Sequence, residues 1–594
     1  MRVPVWLKVL VICFLATNLF SSCTKKKIEG ENVLQLRVPV EFKGYDPITA
    51  NDLYATDEIG RVYEGLLEIH YLKRPFELKS NLAESMPEVS KDGLEYTFKL
   101  KKGVLFHDDV CFGGEGKGRE MVAKDVEYSI KRLSDPKLGS LGFWIIDGKI
   151  KGLNEWQEKM KNAKSTNYDE AVEGIEVIDS HTIKFKLTGP YPQFLQTLAM
   201  PFTVVVAKEA VDFYKEAFTN HPVGTGPFRT GEYRRTNKII YTKNPTYREE
   251  FYPSEGEESD KENGLLADAG KKLPLVDKIE VSVVQEDQPA WLEFLRGKSD
   301  LLPVPKDEFG NVLDSAGNLK KELAAKGIIG QKAQGLDLTY TAFNMEDPLF
   351  KNNLNLRIAM SMAYDHDKIN ALFWNNLSIP AQSMLPPGMA GYDPDYKNPY
   401  REYNIAKAKE YLAKAGFPEG KGLQDIEYYI SHGTTGRQTG EALRDMMKAI
   451  GINLKLNVIP WTELQNLISN KRAPLYSMAW GADYPDAENF FKIIYGPMKA
   501  PGANGGNFDD PKFNKMFEEA SVLQDGPART ELYKALNRYA GEQLPLIFHF
   551  HRVRYMVQQG WLRNFKFSEF TSFVSKYYGI DQAKKAELLP KLQN

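Results

Sequence analysis

The chain holds only three cysteines, Cys13, Cys23 and Cys111, in 594 residues. So few thiols exclude a disulfide scaffold, and a chain of this length must be held by its own apolar cores. An excess of one charge is also missing. Lysine and arginine number 77 against 79 aspartates and glutamates, a net charge of −2. That balance offers no basic face for nucleic acid or an acidic membrane surface. After the N-terminus, no apolar run reaches the length of a membrane span. Catalytic signatures are absent as well: no G-x-S-x-G, no H-E-x-x-H and no G-x-x-x-x-G-K-[ST]. CFGGEGKGRE at 111–120 is glycine-rich but out of register for a phosphate loop, and reads as a flexible connection between strand and helix. Of eight histidines, only His549 and His551 lie close together, with no Cys, Asp or Glu beside them to complete a metal set. Cys111 has no neighbouring His to activate it. The sequence therefore predicts a protein that is not an enzyme and carries neither metal nor cofactor.

What is present begins with the N-terminus. Arg2 and Lys8 lie at the start of the apolar run 9–16, and Ser21, Ser22 and Cys23 follow it. This is the pattern of a secretion signal, not of the fold. It resembles a bacterial lipoprotein signal, in which Cys23 is lipidated and becomes the first mature residue. The departure is Phe20, where leucine is usual. Thr24 and Lys25–Lys27 open a solvated tether. The expected location is extracytoplasmic, on the periplasmic side, with the lipid on Cys23 as sole anchor.

The mature length calls for two or three domains. Alternating apolar residues predict half-buried strands at Leu94–Leu100, Ile183–Leu187, Ile279–Val283 and Ile452–Val458. Helical stripes run through Val122, Val126, Ile130 and Leu133, and through Leu356, Ala359, Met360 and Ala363. A third helix starts at Asn404 as N-cap, carries Ile405, Ala408 and Leu412, and stops at Gly416. Mixed strands and helices without a repeat period place the chain in the α/β or α+β class. The polar stretches 252–264 and 305–318 read as linkers, the first an acidic surface excursion. In HPVGTGPFRTGEY, at 221–233, the glycines are read as serving backbone geometry rather than a ligand.

WGADYPDAENF, at 480–490, crowds Asp483, Asp486 and Glu488 among aromatic rings. Asp486 reads as a helix N-cap and Glu488 as a first-turn acid that favours the helix dipole. Asp483 admits two readings, a cap for a turn or helix or an anchor for a cation. The same segment closes an ordered series: YDPITA and VYEGLLE; SNLAESMPEVSKDGLEYTFKLKKGVLFHDD; VAKDVEYSIKRLSDP; HPVGTGPF; NPTY; LRIAMSMAYDHDKI; YNIAKAKEYLAKAGFPEG; AIGINLKLNVIPW. Together these resemble the family-5 extracellular solute-binding proteins, the oligopeptide- and dipeptide-binding components of ABC importers, from about residue 33 to about 560.

The resemblance implies a periplasmic-binding fold of type II: two lobes joined by a two-strand hinge, with an extra inserted domain. On that pattern 1–22 is the signal and 23–32 the tether. The first lobe takes 33–68, 201–334 and 546–594, with the inserted domain at 69–200, and the second lobe takes 335–545. The hinge strands fall near Gly335–Asn344 and Leu544–Phe550. It also implies that Asp483 pairs with the α-ammonium of a bound peptide and that Trp480 walls the cleft, with Tyr484 beside it. The backbone of Ala479, Trp480 and Gly481 would pair with the extended peptide, met from the other lobe by Asn51, Asp52 and Leu53. Such a protein works as a monomer that closes on its peptide and docks on an ABC permease in the inner membrane. An extracytoplasmic peptidase, or a ligand-sensing or chaperone lipoprotein with the same cleft, are the competing functions.

Overall fold

The computed structural model describes residues 31–593 apart from 40, 43, 50–52, 235–236, 315–316 and 571. The signal and the lipidation candidate Cys23 lie outside the described residues, as do Asn51 and Asp52. No helix among the described residues is long and apolar enough to cross a membrane.

The apolar residues form two cores. One gathers buried side chains from Leu34 to Ala333 and from Tyr555 to Leu592. The other gathers those from Leu336 to Phe550. The periodicity in the sequence accounts for both. Tyr96, Phe98, Ile183 and Phe185 are buried on one face of a four-stranded antiparallel sheet in the order Glu88–Val89, Glu95–Lys99, Thr182–Lys186, Ile175–Asp179. Ile279 and Val281 are fully buried in the central Lys278–Val283 strand of a second four-stranded sheet, parallel to Val33–Val38 and antiparallel to Lys238–Lys243. Both sheets contribute to the first core. The second core is built on six strands in the order Ile379–Pro380, Leu546–His551, Asp337–Phe343, Leu475–Gly481, Ile426–Ser431, Leu454–Ile459. Its helices include Ile405–Lys414, where Asn404 accepts the Lys407 N–H at 3.1 Å and Gly416 lies just beyond the end at φ +95°. Only glycine takes that left-handed turn without strain.

The chain passes between the cores twice, side by side. A three-stranded sheet holds Leu301–Pro303, Val553–Gln559 and Ile328–Gln334. From Gln334 the backbone crosses at Gly335 and Leu336 into the Asp337–Phe343 strand of the six-stranded sheet. It returns at Arg552, between Leu546–His551 and Val553–Gln559. Before that return, Leu546–His551 is paired with Asp337–Phe343. The two crossings are tied together. Gly335 N–H donates to the Arg552 carbonyl at 2.9 Å. Arg552 donates its N–H and Nε–H to the two carboxylate oxygens of Asp337, at 2.8 and 2.6 Å.

Two stretches are better ordered than their composition suggests. The acidic segment 252–264 is no free excursion: Tyr252 and Asp260 are buried, and Glu257 and Asp260 grip Lys566 at 2.5 and 2.7 Å. The glycine-rich loop 111–120 is likewise pinned, with Asp108 accepting the Gly118 N–H at 2.9 Å and Arg119 bridging Asp125 and Glu209. In HPVGTGPF a Cβ on Gly224 would lie 2.1 Å from the Val62 carbonyl oxygen, so close backbone approach accounts for that glycine.

Burial keeps two histidines neutral. His107 and His551 are both pushed down to about 4 by desolvation, and each ring bonds a carbonyl, of Gly226 at 3.0 Å and Asp337 at 2.7 Å. An unfolded histidine titrates near 6.5, so below that pH the unfolded chain takes up protons that the fold refuses. Stability is therefore expected to fall as pH drops from about 6.5, by about 2 kcal/mol per ring at pH 5. Urea unfolding at pH 7 and pH 5 checks this; equal stability at both would mean the rings are charged in the fold.

Candidate functional site

A cavity of about 630 Å³ lies on the seam between the two cores. The first core's segments contribute Thr56, Glu68, Trp144, Arg554, Glu569 and Tyr577, and the second's contribute Gln465, Trp480, Gly481, Asp483 and Tyr484. Asp337 and Arg552, the pair that ties the crossings, line it too. A second cavity of about 370 Å³ adjoins it within the second unit, sharing Gln465, Trp480, Gly481 and Asp483 and adding Ala479, Met478 and Trp461. Of the residues singled out in the sequence, Ala479, Trp480, Gly481, Asp483 and Tyr484 thus all border these spaces. Leu53 is the first residue of the helix Leu53–Val62, from which Thr56 reaches the larger cavity.

The strand Leu475–Gly481 presents an open edge there. It pairs with Asp337–Phe343 along its whole length, but with Ile426–Ser431 only from Leu475 to Ser477. Ala482 N–H donates to the Leu336 carbonyl at 2.9 Å. Antiparallel pairing alternates, so Trp480 and Met478 are the next residues bonded to that neighbour. The N–H and C=O of Ala479 and Gly481 consequently point to the other side, where the ladder has stopped. An unpaired strand edge is a template for another extended chain.

Asn489 fixes the polar end of this edge. It is fully buried. Its side-chain oxygen accepts from Trp480 Nε1 at 3.0 Å and from Asp483 N–H at 3.1 Å, while its Nδ2 donates to Asp483 Oδ2 at 2.8 Å. One amide thus sets both the indole and the carboxylate. Lys492 Nζ lies 3.3 Å from the same Oδ2, with its side chain only 2 % exposed, whereas that of Asp483 is 31 % exposed. Among the described residues no bond forms to Oδ1 of Asp483. Asn489 and Lys492 were not singled out in the sequence. They stand three apart on the Glu488–Phe491 helix and the turn Lys492–Ile494 that extends it, so one face presents both.

The neighbouring acids are structural. Asp486 accepts the Glu488 N–H at 2.9 Å and the Tyr533 hydroxyl at 3.0 Å, and pairs with buried Arg529 at 2.8 Å. The helix Glu488–Phe491 takes Ala487 as its N-cap, not the expected Asp486, whose turn bond to Glu488 comes instead with a buried ion pair that locks this segment to the helix Pro527–Gln543. Glu488 is buried too and accepts from the Tyr484 hydroxyl, and desolvation raises its pKa despite the opposing pull of Lys492. Tyr484, though it lies between 336 and 550, packs with the first core and so bridges the seam. Burial pushes its phenol well above the usual range, so it stays a neutral donor. His549 bonds Thr341 Oγ1 at 3.1 Å and stacks on Tyr364, in the strand setting expected of it. The Cys111 thiol is pushed up to about 12 by burial and Asp109, which leaves it a poor nucleophile.

Two cores, two adjacent crossings and a cavity on the seam define a cleft-type binding protein. The chain belongs to the bacterial extracellular solute-binding proteins, family 5, whose middle-region model matches residues 77–501. The fold is accordingly the two-lobed periplasmic-binding type II, mixed α/β. The chain is 27 % identical over 504 residues to heme-binding protein A of Haemophilus influenzae, covering 83 % of this chain and 82 % of that one. It is 26 % identical over 484 residues to the dipeptide-binding protein of Escherichia coli K12, covering 80 % and 81 %. Among solved structures, the periplasmic binding protein DppA of Helicobacter pylori in complex with peptide STSA superposes with a TM-score of 0.72 at 23 % identity, over 93 % of this chain and 99 % of that one.

If Asp486 is a structural anchor, Asp486→Ala should destabilise the protein by about 3 kcal/mol, the low end for breaking a buried pair, since Asp525 still meets Arg529 at 2.5 Å. Denaturant unfolding measures this. A change below about 0.5 kcal/mol, the size of an ordinary surface substitution, would contradict the assignment.

Proposed function

We propose that this protein captures short peptides with a free α-amine in the cleft and passes them to an ABC permease. The observation that carries this reading is the Asp483 carboxylate, half in solvent on the seam, beside a strand edge with two unpaired backbone positions. An extended peptide has one constant cation, its N-terminal ammonium, and a regular row of N–H and C=O groups. Asp483 meets the first through a charge-assisted hydrogen bond. Ala479 and Gly481 meet the second as an added strand, which grips the main chain without reading side chains. Trp480 walls the cleft and Tyr484 braces the seam.

Residues 33–334 and 553–594 then form one lobe, with 69–200 inserted in it, and 335–551 the other. The paired crossings at Gly335 and Arg552 serve as the hinge. A ligand that touches both walls stabilises the closed state, because only that state offers both sets of contacts. Relatives whose names specify dipeptides, and solved complexes with STSA and Met-Leu, support peptides as the ligand class. The extracellular family favours action on the periplasmic side, and the Cys23 signal favours a lipid-anchored monomer there. Binding rather than peptide cleavage is the activity this cleft supports.

Asp483→Asn should weaken an unblocked tripeptide by about 10- to 100-fold, the loss of about 1.5–3 kcal/mol, and leave its N-acetyl form almost unchanged. Titration calorimetry distinguishes the cases. An equal loss for both peptides would make Asp483 structural.

A further inference from the structure

Asp483 does not face the cleft alone. The Lys492 ammonium, 3.3 Å from Asp483 Oδ2, also lies 4.0 Å from the centre of the Trp144 ring, 5.5 Å from Trp480 and 5.3 Å from Tyr484. Three aromatic faces and a carboxylate around one ammonium make the cage that proteins build for cationic ligands. Here the occupant is the chain's own side chain. Trp144 belongs to the short turn Phe143–Ile145 on the first core's side of the seam, whereas Trp480 lies in the Leu475–Gly481 strand and Asp483 and Tyr484 just after it. The lysine therefore ties the two walls together.

Two ammonium groups cannot share that cage without strong repulsion at so short a range. A ligand ammonium arriving at Asp483 must displace Lys492 from its rings or accept a carboxylate already half neutralised through Oδ2. Either way the lysine subtracts from what the ligand gains. We propose, on the footing that Asp483 binds a ligand ammonium, that Lys492 is a tethered competitor for that site. It joins the two walls through Trp144, and it sets how strongly a solute's own cation must bind to take its place. Lys492 is then a specificity-determining residue: it penalises ligands whose only strong contact is one amine and favours those that also fill the strand edge.

The test compares wild type with Lys492→Met, using trialanine and N-acetyl-trialanine by calorimetry and thermal melting without ligand. The variant should bind trialanine about tenfold more tightly, with N-acetyl-trialanine unchanged, because only the free amine competes with the lysine. Its ligand-free melting temperature should fall, and the stabilisation by trialanine should grow. Should the methionine variant fail to fold, Lys492→Gln keeps a hydrogen-bond donor to Asp483 without the charge and carries the same expectation. Equal change for both peptides, or weaker binding of trialanine, overturns the competitor role while leaving the peptide reading standing. Wild type binding both peptides alike, or neither, overturns the ammonium anchor itself and the competitor with it.

Discussion

The structure depends on one constraint: the chain changes core twice, at neighbouring points, and the two crossings are bonded to each other. Asp337 begins one crossing strand and Arg552 separates the two strands of the other, and the Asp337 carboxylate accepts both the guanidinium Nε–H and the backbone N–H of Arg552. With the Asp337 side chain only 3 % exposed and that of Arg552 29 %, the pair is more than a surface contact of negligible worth. It fixes where the seam runs. The Asp337–Phe343 strand then fixes the register of Leu475–Gly481, and that register turns the backbone groups of Ala479 and Gly481 to the side where, among the described residues, the ladder ends at Ser477.

Downstream of this register the polar end of the site is assembled by a single amide. Asn489 holds the Trp480 indole and both the backbone and the carboxylate of Asp483. Such preorganisation matters because an exposed carboxylate competes with water for any cation, whereas one already oriented and partly desolvated loses less on binding. The three acids of WGADYPDAENF are divided by burial. Asp486 and Glu488 are withdrawn into bonds with Arg529, Tyr533 and Tyr484, and only Asp483 keeps an oxygen toward the cavity.

Much of this was legible in the sequence because period-two and period-3.6 patterns report burial directly. Tyr96, Phe98, Ile183 and Phe185 could be placed on buried faces, and Asn404 and Gly416 at helix ends, from local chemistry alone. The resemblance of the ordered motifs to the family singles out the segment that carries Asp483, which lines the cavity. What escaped was everything that depends on distant partners. Lys492 and Asn489 read as ordinary polar residues of a helix, and nothing local announces that Trp144, nearly 350 positions earlier, lies over the lysine. The acidic stretch at 252–264 looked solvated because its counter-ion, Lys566, is equally remote.

The central claim is that the seam encloses a solute with a free amine and an extended backbone. Protein purified without denaturation, then acidified to release whatever it carries, puts that to mass spectrometry most directly. Peptides with unmodified N-termini, in many sequences, are the predicted result. A tetrapyrrole, a sugar or N-blocked material as the released ligand would contradict it.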